Sequence, residues 1–416
     1  MPFSNFGEKF TRDAGILTLM EDLGNALTVN KEMLMLGGGN PGMVPGVVAK
    51  VQERLKIIAS DPESVFRFLG IYDPPQGHQA FIAALVKYFR NHYGWQIREE
   101  NICLTNGSQS AFFMLYNLLA GEFKDGSFKQ ILFPLTPEYI GYADTGIHEG
   151  LFTANRPSIE MLEPPFFKYH IDFDKLIVSD HIAAIAVSRP TNPTGNVLTD
   201  EEIHKLDAIA REKKIPLIID NAYGLPFPQI VYSEAQPFWN EHTILCMSLS
   251  KLGFPAIRTG IVIGPAEITQ ALAKMNAILS LSPVGAGAAL VTEWIESGEI
   301  ETISHTLVRP FYEEKMKRAV SWIKTYFTGF DYAIHQPEGA MFLWLWFKDL
   351  PVTNHALYER LKQNGVLVVS GHYFFPGLSE PWEHTTQCIR MTYSQSDEVV
   401  KQGIMKIAEE VIKIVA

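Results

Sequence analysis

The sequence predicts an α/β protein with a large domain built on a mostly parallel sheet and a second, smaller α+β domain. Three observations predict it. From about residue 46 strand-like and helix-like patterns alternate, which is how helices come to pack on a mostly parallel sheet. After about residue 300 the texture changes to longer helices interrupted by short strands. A chain of 416 residues, 47% hydrophobic and 19% charged, supplies a sizeable core and room for about two to four domains. The expected division is 46–300 for the large domain, with 1–45 and 301–416 together forming the small one.

The elements follow in order. The spacing of Phe81, Leu85, Tyr88 and Phe89 predicts a helix over 79–92. A short strand at 101–105, the turn Asn106-Gly107-Ser108 and a strongly apolar helix at 109–120 make one strand, glycine turn, helix unit. Strands recur at 130–135, at 183–188 with a helix at 200–213 behind it, at 215–220, at 243–248 and at 260–264. In the last part, a helix at 310–326 precedes strand-like segments at 341–347 and 365–370. There is no internal repeat and no low-complexity linker.

Composition excludes several classes of function. Thirty-five Lys and Arg against 46 Asp and Glu leave a net charge of -11, which repels a nucleic-acid backbone. The three cysteines, at 103, 246 and 388, fit neither a disulfide framework nor a zinc knuckle, so a reducing, cytoplasmic setting is expected. The N-terminal MPFSNFGEKFTRDAG lacks the basic flank and apolar stretch of a secretory signal. No run approaches the roughly 18 apolar residues of a membrane helix, so no membrane partner is expected.

In open α/β sheets ligands lie at the carboxyl ends of the strands, and four such ends carry unusual residues. Asn106-Gly107-Ser108-Gln109 opens a helix with small residues whose free N–H groups suit a phosphate. The stretch 188–195, SRPTNPTG, closes a strand with two X-Pro bonds that restrict the backbone around Asn192. Asp220-Asn221-Ala222-Tyr223 ends an apolar strand with a carboxylate where burial is expected, and a buried carboxylate needs a partner. Ser248-Leu249-Ser250-Lys251 follows the next strand, with Arg258 seven residues on. Singly each reads as a cap, a turn or a solvated surface. Together they place an anion site, an amide, a carboxylate, a phenol and a lysine on one sheet edge. Pyridoxal phosphate needs that set, since it carries a phosphate, a ring nitrogen, a phenolic oxygen and an aldehyde that condenses with lysine.

NPTG at 192–195, DNAY at 220–223 and SLSKLGFPAIRTG at 248–260, spaced by 28 and 31 residues between Asn192, Asp220 and Lys251, resemble the fold-type I pyridoxal-phosphate aminotransferases. LGGGNP at 36–41, NGSQSAFF at 106–113, FPLTPEYIGYAD at 133–144 and PEGAMFLWLWFKDLP at 337–351 extend the resemblance over nearly the whole chain. It implies that 46–300 is the cofactor-binding domain and that an amino group moves between small aliphatic amino acids and 2-oxo acids, valine and pyruvate foremost. Broader or aromatic specificity within the family, or lyase chemistry on the same cofactor, remain the alternatives. By the resemblance, Lys251 is the Schiff-base lysine and proton shuttle, Asp220 partners the pyridine nitrogen, and Asn192 and Tyr223 donate to the phenolic oxygen. Ser108, Gln109, Ser248, Ser250 and Arg258 form the phosphate cup, and Tyr139 stacks on the ring. Tyr72, in GIYDPPQG, reaches a neighbouring subunit's phosphate, which implies a homodimer. Arg390 in CIRMTY grips the substrate α-carboxylate, with Gly39 and Asn192 beside it. The segment 282–289, SPVGAGAA, lacks a glutamine that many relatives show, and that side of the pocket has no assignment.

Three rival readings fall. Gly37 to Gly42 satisfies G-x-G-x-x-G, but Pro41 and Pro45 deny the helix that a dinucleotide site opens at its glycines. Ser248 to Lys251 satisfies S-x-x-K without the S-D-N and K-T-G companions of serine acyl-enzymes. A regulator with an aminotransferase-like effector domain needs a DNA-binding module, yet the catalytic pattern already starts near Leu36.

Overall fold

The computed structural model describes residues 2–416, apart from the side chains of residues 26–29, so Met1 of the expected N-terminal segment lies outside the described residues. The strands Ile102–Thr105, Ile182–Ser188, Leu217–Asp220 and Thr243–Ser248 are buried on both faces, which is why they read as continuous apolar runs. They belong to an eight-stranded sheet ordered 102–105, 260–263, 243–248, 217–220, 182–188, 128–133 and 121–122, with 152–154 added beside 128–133. Most neighbours are parallel. Gly260–Ile263 runs antiparallel to both of its neighbours, so Gly260 lies level with Thr105 on one side and Ser248 on the other. The turn that carries Arg258 therefore opens at the same edge as the carboxyl ends of the parallel strands. Ser188 and Cys246 lie level with Asp220 there.

Helices fall within a residue or two of their expected places, at Gln79–Tyr93, Ser108–Leu119, Asp200–Lys213 and Arg309–Tyr326. The helix Gln79–Tyr93 stops at Gly94, whose φ of +67° is the left-handed conformation that glycine adopts freely.

The second sheet has six strands in the order 369–370, 388–392, 342–346, 333–335, 166–170 and 158–161. Here the division at 46–300 departs from the hydrogen bonding. Ser158–Met161 and Phe166–His170 lie inside that range, yet Phe166–His170 pairs in parallel with Ala333–His335. The aromatic content of these strands explains the attachment: Phe167 meets Trp346 edge-on at 5.3 Å, and Tyr169 lies 4.9 Å from His335. The single strand expected at 365–370 is two. Val366–Leu367 pairs with Leu34–Met35 of the N-terminal segment, whereas Val369–Ser370 pairs with Cys388–Thr392. A buried ion pair staples the parts: Lys168 meets Glu338, and both hold Val197, Lys168 donating to its carbonyl at 3.1 Å and Glu338 accepting from its N–H at 3.0 Å.

The helix Asp200–Lys213, which follows the NPTG turn, is fixed by a capping box between Thr199 and Glu202. Glu202 also accepts from the Ile171 N–H at 3.1 Å and meets His170 at 3.3 Å. Burial works against its charge, but His170 and the N–H groups of Thr199 and Ile171 win and hold the carboxyl at about 2. A depressed carboxyl stabilises the fold above the unfolded value and loses that contribution as pH falls through the folded one. Glu202→Gln should therefore cost about 3 kcal/mol near neutrality, and the gap to the parent should close as pH falls from about 4.5 towards 2. Urea unfolding at stepped pH measures it, and a gap independent of pH would refute the assignment.

Candidate active site

The strand ends converge on one cleft of about 680 Å³ between the two sheets. Ser108, Gln109, Tyr139, Asn192, Asp220, Tyr223, Ser248, Ser250, Lys251, Arg258, Gly39 and Arg390 all line it. Tyr72 does not. It is 80% exposed on the outside of the chain. The segment 282–289 is also absent from the lining among the described residues; it is held against Asn106, whose Oδ1 accepts from the Val284 N–H at 2.8 Å.

One end of the cleft is cationic and rich in donors. In the helix Ser108–Leu119 the Ala111 N–H bonds Gly107 O at 3.3 Å, and the N–H groups before it are left for an anion. Gly107 has φ +88°, and a Cβ there would stand 2.2 Å from Arg258 Nη2. Only glycine lets the guanidinium lie against this turn. Ser248 Oγ donates to Ser250 Oγ at 2.9 Å and accepts from the Ser250 N–H at 3.0 Å, fixing the serine turn beneath it.

At the centre, Lys251 Nζ donates to Gly39 O at 2.7 Å and stands 5.4 Å from the centroid of the Tyr223 ring. Burial, with the cations Arg390 and Arg258 nearby, lowers its ammonium to about 8 against the pull of Asp220. Asp220 accepts from the Tyr142 hydroxyl at 2.5 Å and from the Ala222 N–H at 2.9 Å. Burial raises its carboxyl to about 6, while these two donors and Lys251 pull it back, so it is ionised at neutral pH.

At the other end, Arg390 donates from Nη1 to Asn192 Oδ1 at 2.8 Å and from Nη2 to Gly37 O at 2.6 Å. Its guanidinium lies over Phe342 at 4.2 Å and Phe374 at 5.2 Å. Nε is buried without a partner, an open donor on a buried cation. Because Asn192 accepts through Oδ1, its amide nitrogen is free to donate.

Two features escaped the sequence reading. The helix Gly15–Val29 lays Ile16, Leu19, Met20 and Leu23 along the cleft, and their i, i+3, i+4, i+7 spacing was the signal that could have found it. Asp22 on the same helix anchors it, accepting from Tyr358 and, at 2.7 Å, from Lys362. The second is a fully buried carboxyl, Glu138, beside the cleft residue Ser188.

This fold and this set of side chains define an aminotransferase. The sequence matches the family Aminotransferase class I and II over residues 31–407, and the chain belongs to that family. The valine-pyruvate aminotransferase of Escherichia coli K12 is 50% identical over 411 residues, 99% of this chain and 98% of that one. The crystal structure of valine-pyruvate aminotransferase from Salmonella typhimurium LT2 is similar with a TM-score of 0.89 at 49% identity, covering 96% of this chain and 99% of that one. Aspartate aminotransferase of Thermus thermophilus, at 19% identity and a TM-score of 0.78 over 99% of this chain and all of that one, shares the fold.

The chain is a transaminase that works with pyridoxal 5′-phosphate. The donor set fits that group: free helix N–H groups, serine hydroxyls and Arg258 for a phosphate, an ionised buried carboxylate for a ring nitrogen, and a lysine of lowered basicity between them. Since Arg390 offers its free Nε from a fork already aligned by Asn192 and Gly37, Arg390→Lys should keep the charge and lose the geometry. We expect kcat/KM for the amino acid to fall on the order of a hundredfold, mostly through KM. Steady-state kinetics at fixed 2-oxo acid tests this, and a lysine variant at parental KM would remove Arg390 from the carboxylate site.

Proposed function

We propose that the enzyme transfers the amino group between valine and pyruvate, giving 2-oxoisovalerate and alanine, and accepts other small aliphatic amino acids in graded fashion. The observation that carries this reading is the pairing of Arg390 with an apolar wall. Among the described residues that line the cleft the arginines are Arg258, at the helix-dipole end, and Arg390, and no third one faces the helix Gly15–Val29. A substrate with one carboxylate and an aliphatic side chain satisfies both ends. A distal carboxylate would be buried against Ile16, Leu19, Met20 and Leu23 without a partner, which is costly.

When bound, the cofactor supplies an electron sink for the charge left on the substrate carbon after its proton departs. Lys251, whose amine is free of its proton at only mildly alkaline pH, is the base that takes that proton at Nζ and returns it. Asp220, through its ionised carboxylate, would hold a proton on the ring nitrogen. Asn192 and Tyr223 would bind the phenolic oxygen, Tyr139 would pack against the ring, and Ser108, Gln109, Ser248, Ser250 and Arg258 would hold the phosphate.

The assembly is a homodimer in this reading. Phe66, Leu69, Ile71 and Tyr72 are exposed together, an apolar stretch that a second copy covers while Tyr72 reaches its phosphate site. The three buried, unpaired thiols suit the reducing cytoplasm.

With valine, alanine, leucine, aspartate and glutamate as donors, kcat/KM should grade within about 1–3 kcal/mol among the aliphatic set, because one methylene in an apolar pocket discriminates no more than that. Both dicarboxylates should be poor. A preference for either dicarboxylate would overturn the substrate assignment. Lys251→Ala should remove turnover by several orders of magnitude in the same assay; a variant that still cycles would move the base elsewhere.

A further inference from the structure

Glu138 is 0% exposed, lies outside the cleft lining, and has no role in the reading above. It sits at one end of a line of short polar contacts whose other end is Asp220. Glu138 Oε2 is 2.5 Å from Ser188 Oγ, Ser188 Oγ is 3.3 Å from the Tyr142 hydroxyl, and that hydroxyl is 2.5 Å from Asp220 Oδ2. The other oxygen of Glu138 accepts from the Ser188 N–H at 2.8 Å.

Counting protons decides what this line is. Three contacts join four groups, and Ser188 and Tyr142 bring one hydroxyl proton each. With both carboxyls ionised, Ser188 donates to Glu138, Tyr142 donates to Asp220, and the contact between the two hydroxyls holds two lone pairs and no proton. Two anions would then also be buried along one chain of hydrogen bonds. One further proton on either acid completes all three bonds in a single direction. Position along the line selects the acid. Asp220 has the Ala222 N–H at 2.9 Å and the lysine Lys251 near it. Glu138 faces Ser188, the Tyr139 N–H, Tyr116, Tyr142 and the negative charge of Asp220, and forms no ion pair among the described residues. We infer that Glu138 is a neutral acid at the head of a directed hydrogen-bond chain, Glu138 to Ser188 to Tyr142 to Asp220, that positions the Asp220 carboxylate and keeps it ionised. The physical forces agree: burial, reinforced by Asp220, lifts the Glu138 carboxyl to about 8 despite the Ser188 contacts. Glu138, Ser188 and Tyr142 are thus positioning residues that act through Asp220.

The inference rests on Asp220 as the ring-nitrogen partner only for its kinetic part. The holoenzyme at pH 7 should show an infrared carbonyl band of a protonated carboxyl, and Glu138→Gln should remove it. The glutamine amide can donate to Ser188 Oγ and accept from the Ser188 N–H as the neutral acid does, so this variant should keep the parental acid limb of the kcat/KM profile. Had Glu138 been ionised, the same change would reverse the Ser188 hydroxyl and shift the profile. Tyr142→Phe should keep the band, and by removing the donor to Asp220 should move the acid limb of the profile up by about one pH unit. A band that survives Glu138→Gln, a shifted acid limb in that variant, or an unmoved acid limb in Tyr142→Phe would each overturn the inference. Asp220→Asn separates the two readings: parental turnover in that variant would sink the role of Asp220 itself while leaving the infrared result standing.

Discussion

Arg390 is 2% exposed and has no carboxylate among its partners, and much of the molecule is arranged around that fact. Burying a cation is costly unless it is paired and hydrogen-bonded. It joins three places: it stands on the strand Cys388–Thr392 of the six-stranded sheet, donates to Asn192 at the edge of the eight-stranded sheet, and donates to Gly37 of the N-terminal segment. Phe342 and Phe374 close its two faces. Burial lowers its guanidinium to about 10 while it stays charged at any working pH. The parts of the chain that must meet to make the cleft are therefore held together by a buried cation with no anion among the partners that hold it, which is what the proposed carboxylate site requires.

The same low-dielectric setting explains the unequal protonation of its neighbours. Lys251 is pushed towards the neutral amine by burial and by the two arginines, whereas Asp220 keeps its charge because two donors and a nearby lysine oppose its burial. Glu138, deeper than either and facing the negative charge of Asp220, falls on the other side of neutrality. Three ionisable groups around one end of the sheet thus take different states from differences in partners and in burial together.

What could be read from the sequence follows the same physics. Parallel strands buried on both faces appear as apolar runs, and the polar residues that end them stand out, so Ser188, Asp220 and Ser248 were legible together with the turns behind them. The strands Ser158–Met161 and Phe166–His170 were not, since the Pro164-Pro165 pair and mixed polarity hide a hairpin that finds its partner about 165 residues away at Ala333–His335. The break inside 365–370 was invisible for a related reason: one apolar run serves two sheets, and only the partners Leu34–Met35 and Cys388–Thr392 divide it. Glu138 was quoted within a motif but carried no signal of burial, because a glutamate between proline and tyrosine has no periodicity to betray which way it points.

The glycines at 37–39 show how one local pattern supports opposite readings until packing is known. A dinucleotide site would need them to open a helix onto a phosphate. Here the chain runs on through Pro41 to a helix that begins only at Pro45–Ser60, and it is a close contact at Gly37 that calls for glycine. A Cβ on Gly37 would come within 2.8 Å of Val368 O, so the segment can lie this close to the six-stranded sheet only without a side chain there. Gly37 and Gly39 then spend their carbonyls on Arg390 and Lys251. Arg390 and Lys251 each thus donate, before any ligand arrives, to a neutral carbonyl oxygen of one short segment, which holds them without cancelling their charge. A carboxylate in that place would have cancelled the charge on which the proposed binding of a substrate carboxylate depends.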